Sequence, residues 1–230
     1  MPAAVLFDWG GTLMQFEWDD DLLAAGHHAG LAAIGRKDEA DEFTARFVEE
    51  TLPRLQPPAD YAAELRALLG PLGHDELDRF LDAEHAAWRP ARALVGGAHA
   101  LLEALRDRGH RLAIVANTWP EPARLVRREL KELGIAARVD AIVLSGDVGV
   151  RKPDAAIFER ALAELGDPDP LDALFVGDRL VDDVAGAAAV GMTTAQALWF
   201  RADDAPSEAE PDFLAFTPAD VLIAAKRLAD

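Results

Sequence analysis

Cysteine is absent from this 230-residue chain. That gap removes disulfides, thiolate nucleophiles and cysteine-ligated zinc together. Basic residues are scarce, 23 Lys and Arg against 41 Asp and Glu, for a net charge of −18. Such a field repels nucleic acid and anionic membranes, so neither is an expected partner. An anionic substrate would need a local cation, either a metal or a particular Lys or Arg. No run approaches the roughly 20 apolar residues that span a bilayer. The opening MPAAVLFDWGG has no basic segment, and its apolar run enters Asp8 rather than a cleavage site. It does not read as a signal peptide, and a cytoplasmic location is expected.

What is present is a chain 50% hydrophobic, enough for a core and one or two domains. Continuous apolar runs at Ala4–Phe7, Leu112–Ala116, Ala141–Leu144, Leu174–Val176 and Thr193–Ala197 read as strands buried on both faces. Between them lie the helical patterns Ala98–Asp107, Pro120–Leu133, Pro153–Leu165 and Asp182–Val190, each ending at or near a glycine. The alternation predicts an α/β fold with a doubly wound parallel sheet.

One segment breaks the pattern. From about Met14 to Trp88 no strand is expected, only amphipathic helices near Asp20–Ile34, Asp38–Leu52, Asp60–Leu69 and Asp75–Trp88. Gly35, Pro53, Pro57, Pro58, Gly70, Pro71 and Gly73 punctuate them. The expected organisation is a core of residues 1–13 and 91–230, with a helical lid of residues 14–90 inserted after the first strand. A polar loop and a closing helix, capped near Thr217, end the chain.

Ligands of doubly wound sheets bind beyond the carboxyl ends of the strands. Asp8 ends the first strand and precedes Gly10, Gly11 and Thr12. A carboxylate there can attack phosphorus while the N–H groups of a glycine turn hold its oxygens, although an aspartate before a glycine turn is also a common cap. VGDRLVDD places Asp178, Asp182 and Asp183 at another strand end, oxygen donors suited to Mg²⁺. Asp182 and Asp183 also open a helix, where acids are favoured in any case. In GVRKPD, Lys152 is one of only four lysines, and an ammonium fixed there can offset crowded carboxylates and a phosphoryl group.

Taken together, FDWGGTL, the VANT strand end, GVRKPDAAIF and VGDRLVDDVAGAAAVGM resemble, in order and spacing, the haloacid dehalogenase-like hydrolase superfamily. The resemblance covers nearly the whole chain, with the 14–90 insert matching that family's helical type-1 cap. It implies a Rossmann-like core, Mg²⁺, a small phosphorylated metabolite as substrate and an aspartyl-phosphate intermediate. Asp8 would be nucleophile and metal ligand, Lys152 the charge-stabilising lysine, and Asp178, Asp183 and the Gly10 carbonyl further metal ligands. Asp183 matches the motif's final acid better than Asp182. Gly11, Thr12, Asn117, Thr118 and Lys152 would bind phosphate, the two turns supplying N–H donors, and Trp9 stands beside the nucleophile.

Two positions depart from the family pattern. Most phosphatases of the family carry an acid two residues after the nucleophile, and here that residue is Gly10. General acid–base help is worth about 10² to 10⁴-fold, so alkyl phosphates should suffer most. The usual Ser or Thr at the next motif is Ala116, leaving Thr118 as a candidate replacement for its hydroxyl. A substrate with an acidic leaving group, such as an acyl or aryl phosphate, would explain the glycine. So would an acid lent by the insert, from Glu17, His27 or His28. A third explanation is altered chemistry, resembling a 2-haloacid dehalogenase or a phosphonoacetaldehyde hydrolase. The retained acids of VGDRLVDD count against the dehalogenase. The phosphonate enzyme needs a desolvated cap lysine, and Lys37 lies among charged neighbours. A non-catalytic binder of phosphate or metal is the reading from another class.

Overall fold

Where the apolar runs are continuous, the chain builds strands. The computed structural model describes residues 4–55, 60–200 and 207–227. Among the described residues eight strands run in chain order: β1 (Ala4–Phe7), β2 (Met14–Phe16), β3 (Arg92–Leu94), β4 (Arg111–Ala116), β5 (Ala141–Leu144), β6 (Ala173–Gly177), β7 (Thr193–Ala197) and β8 (Phe213–Ala215). Six form one parallel sheet in the order β5-β4-β1-β6-β7-β8. β1 lies between β4 and β6, with Leu6 opposite Ala113 on one side and Phe175 on the other. All four of its residues are buried, which is why the run does not alternate.

The chain runs outward from β1 through β4 to β5, then returns to β6 on the other side of β1 and continues through β7 to β8. That reversal puts the ends of β1 and β6 at the switch point of the sheet, the position where such folds bind ligands. Leu6, Val115, Val143 and Phe175 pack with Ile157 and Phe158 of helix Ala155–Glu164. The rings of Phe158 and Phe175 meet nearly edge to face, 5.1 Å apart.

The chain forms two compact units. One takes the residues through Phe16, Ala93–Thr118 and the chain from Val126 onward. The other takes Glu17–Arg92 with Trp119–Leu125. In the second, helices Asp20–Ala33, Tyr61–Leu69 and His74–Ala87 enclose Leu31, Phe43, Phe47, Leu65 and Phe80. Asp19 caps the first of these by accepting from the N–H groups of Asp21 and Leu22, at 2.8 and 3.0 Å. Gly30 admits the ring of Phe80, since a Cβ there would lie 2.7 Å from it.

Several local expectations change. Met14–Phe16 is a strand, contrary to the strand-free reading of that stretch, and it pairs with Arg92–Leu94 in a separate two-stranded sheet. Three residues are too few to show a period. The expected helix Asp38–Leu52 is four consecutive pieces, from a 3₁₀ turn at Lys37–Glu39 to another at Leu52–Arg54. The expected helix Asp182–Val190 begins as a wide turn over Leu180–Ala185, because the Asp183 carboxylate accepts from the Arg179 N–H at 3.0 Å. The closing helix is Pro218–Arg227, with the Thr217 hydroxyl bonded to Asp220. Pro57, Pro58 and part of the polar loop after Trp199 lie outside the described residues.

Candidate active site

Asp8 stands one residue beyond β1 and still belongs to the ladder, its N–H donating to the Val176 carbonyl at 2.9 Å. The chain then turns sharply. The Trp9 carbonyl accepts from Leu13 and Met14, at 3.0 and 2.9 Å, and the Gly11 N–H donates to the Met14 carbonyl at 2.8 Å. Gly11 has φ +85°, and a Cβ there would run into the Asp178 carboxylate, so glycine is required on both counts. Gly10 is different. A Cβ built there meets no atom within 4 Å, so the missing acid is not excluded by space.

Asp178 follows β6, and Asp183 folds back beneath Gly177, where any Cβ would overlap its side chain. Lys152 closes the group. Its Nζ donates to Asp8 Oδ1 and to Asp183 Oδ1, each at 2.6 Å. The lysine is only 2% exposed, and its ammonium lies 5.4 Å from the centre of the Phe175 ring. The Thr12 hydroxyl donates to Asp8 Oδ2 at 3.3 Å and lies 3.5 Å from Asp178 Oδ1. Asp8, Asp178 and Asp183 each offer an oxygen within 4.8 Å of the others. Asp182, only partly buried, is not a member of that group.

Three buried acids and one ammonium do not balance. Burial, with a further push from Asp183 against the pull of Lys152, raises the Asp8 carboxyl to about 6. Burial and the charges of Asp8 and Asp183 raise Asp178 to about 8. Burial opposes the Lys152 charge, but Asp183 and Asp8 outweigh it and hold the ammonium above its ordinary range. A further cation would offset the excess of acid.

Three of the expected N–H donors, those of Gly11, Thr12 and Thr118, are engaged within the protein. The Gly11 N–H is spent on Met14, and the Thr12 N–H on the Trp9 carbonyl at 3.3 Å. The Thr118 N–H donates to Ser145 Oγ at 2.9 Å, and its hydroxyl accepts from the Gly146 N–H at 3.0 Å. The Asn117 side chain is bonded to the backbone of Lys152. The Trp9 indole donates to Glu129 at 3.2 Å.

The insert residues also find other employment. His27 is fully buried, bonded to Thr44 at 3.1 Å and set edge-on against Phe43 and Phe47. Burial and its neighbour His28 lower it to about 4, so its ring is neutral rather than cationic at neutral pH. That burial speaks against His27 among the three insert residues held open as a source of the acid. His28 pairs with Asp41 at 2.9 Å, and Lys37 is exposed.

Sequence reasoning passed over Gln196 and Trp199. Gln196, a buried amide on β7, donates to the Asp178 carbonyl at 3.1 Å. The Trp199 indole donates to the Thr12 carbonyl at 2.8 Å. A glutamine in the apolar run TTAQA was the available signal.

The haloacid dehalogenase-like hydrolase family matches residues 2–191. Among curated relatives, the chain is 36% identical over 109 residues to a glyceraldehyde 3-phosphate phosphatase of Pyrococcus abyssi, covering 46% of this chain and 42% of that one. It is 35% identical to a phosphoglycolate phosphatase of Rhodospirillum rubrum over 84% of this chain and 78% of the relative. The first of the curated relatives are matched over less than half of their length. A solved HAD phosphatase from Thermococcus onnurineus superposes with a TM-score of 0.67 at 28% identity, over 96% of this chain and 97% of that one. No helix among the described residues is long and apolar enough to cross a membrane. The chain belongs to the haloacid dehalogenase-like hydrolases.

Proposed function

We propose that the protein is a Mg²⁺-dependent phosphatase of a small phosphorylated metabolite, working through a phosphorylated Asp8. The observation that carries the reading is Lys152, buried and bonded at once to Asp8 and Asp183, with Asp178 beside them. A purely structural role gives no reason to bury three acids around one lysine, because each costs several kcal/mol to desolvate. The relatives named as phosphatases support it. The helical unit is the proposed cap, and carries substrate selection.

The donor set fits Mg²⁺, a hard cation that takes carboxylate and carbonyl oxygens, with no sulfur or imidazole among the clustered groups. Asp8, Asp178, Asp183 and the Gly10 carbonyl would hold it. When bound, it screens phosphoryl charge as a Lewis acid.

Lys152 fixes one oxygen of Asp8, leaving Oδ2, which the Thr12 hydroxyl steadies, to attack phosphorus in line. The new Asp8–phosphorus bond forms as the bond to the leaving oxygen breaks, and that oxygen takes the electron pair. Lys152 and Thr12 then face the transferred group. Water displaces Asp8 from phosphorus in the second half, releasing inorganic phosphate and restoring the carboxylate. No side chain at position 10 protonates the leaving oxygen, so substrates whose leaving group is already a weak base, acyl or aryl phosphates, turn over best.

Phosphate release from p-nitrophenyl phosphate and from a simple alkyl phosphate tests this, with Mg²⁺, with chelator and in Asp8→Asn. Turnover of the aryl ester, lost with chelator and in Asp8→Asn, is the expected result. Turnover of both esters would mean that another group replaces the absent acid. No Asp8-dependent release from either would remove the phosphatase reading and leave altered chemistry or simple binding.

A further inference from the structure

We infer that Asn117 is a positioning residue for the reaction, one that acts by clamping the backbone of Lys152 rather than by touching phosphate. The inference rests on the reading of Lys152 as the cation beside the transferred group.

Asn117 follows β4 directly, and Lys152 lies in the loop before helix Ala155–Glu164. The two are 35 positions apart, yet one carboxamide takes both polar groups of the lysine's backbone. Lys152 N–H donates to Asn117 Oδ1 at 2.8 Å, and Asn117 Nδ2 donates to the Lys152 carbonyl at 3.0 Å. Only a side chain with one acceptor and one donor in a single plane can do this. Aspartate keeps the acceptor but loses the donor, and turns a negative charge toward a carbonyl. Alanine loses both.

The clamp matters because of what the lysine must do at its far end. Its side chain carries four rotatable bonds, and its Nζ has to meet Asp8 and Asp183 at 2.6 Å each. Packing along the stem, including the Phe175 ring, limits those rotations, but cannot fix where the Cα sits. The Asn117 amide fixes it against the end of β4, in the same sheet that carries Asp8 and Asp178. The neighbouring Thr118–Ser145–Gly146 bonds tie that strand end to the turn Ser145–Val148, so the anchor is itself held.

The test uses the full chain with ¹⁵N-labelled lysine. Lys37, Lys131 and Lys226 are exposed, whereas Lys152 is buried between two carboxylates, so one slowly exchanging ammonium signal is expected, assigned by its loss in Lys152→Arg. In Asn117→Ala that signal should disappear, and in Asn117→Asp it should weaken. For p-nitrophenyl phosphate with Mg²⁺, kcat should fall on the order of 10 to 100-fold in Asn117→Ala, the usual effect of misplacing a reacting group by about 1 Å. KM should stay within about 3-fold, because the binding contacts themselves remain.

An unchanged ammonium signal in Asn117→Ala would overturn the inference, as would a wild-type chain with no protected signal. So would a rise in KM and in the inhibition constant for inorganic phosphate with kcat kept, since Asn117 would then be touching the substrate. Should the wild type release no phosphate at all, the phosphatase reading falls, and the ammonium signal alone still decides the clamp.

Discussion

Two clusters of buried acids, one in each unit, are handled differently. In the first, Asp8 and Asp183 pair with the Lys152 ammonium, and Asp178 lies beside them. In the second, Glu84 lies among His27 and Tyr61, with no such cation among the described residues. The Tyr61 hydroxyl donates to Glu84 at 2.5 Å, and His27 Nε2 lies 3.8 Å away without a hydrogen-bond partner. Burial lifts Glu84 to about 8 and holds His27 near 4, so this cluster carries no charge at neutral pH. Beside Asp8 and Asp183 the fold offsets the cost of desolvation with a cation. Where helices only need to be joined, it gives the charge up.

Removing the cation should break the contrast most severely. Lys152→Met leaves buried acids uncompensated, which should cost about 3–5 kcal/mol of stability, and kcat should fall on the order of 10² to 10³-fold. Thermal unfolding with and without Mg²⁺ checks the first, because the metal should recover part of the loss. Steady-state kinetics checks the second. Next in size is an added acid. Gly10→Asp enters open space, so it should fold normally and raise alkyl-phosphate turnover by up to about 10²-fold, measured as phosphate release.

The smallest effect belongs to the helical unit. Glu84 is raised in the fold from 4.5 to about 8. Its contribution is therefore fully present below 4.5 and declines as pH rises toward 8, because the unfolded chain ionises first. The slope is at most about 1.4 kcal/mol per pH unit. Glu84→Gln cannot ionise, so its unfolding free energy should lose that decline between pH 4.5 and 8. Denaturant titrations across the range would show it, and an unchanged slope would mean that Glu84 is ionised in the fold.

Much of the fold is legible in the sequence. β1, β5 and β7 follow the apolar runs, as does helix Ala98–Asp107, because continuous burial leaves continuous hydrophobicity. β2, β3 and β8 have three residues each, too few to carry a pattern. His27 was open to a better reading. Leu23, His27 and Leu31 recur at four-residue intervals, as do Phe80, Glu84 and Trp88, and all six are buried. Those stripes mark His27 and Glu84 as core positions. The acids stood out by residue type near strand ends, and the lysine by its rarity in the loop before a helix. The Asn117 clamp did not, since a carboxamide's partner 35 residues away is set by how two loops meet at the sheet.

The most direct test is to look for phosphate on Asp8. Brief incubation with an acyl or aryl phosphate and Mg²⁺, followed by acid quench and peptide mass analysis, should find one phosphoryl group on the peptide bearing Asp8. It should be removed by hydroxylamine and absent in Asp8→Asn. Phosphate release without a modified Asp8, or release that survives Asp8→Asn, would contradict the account.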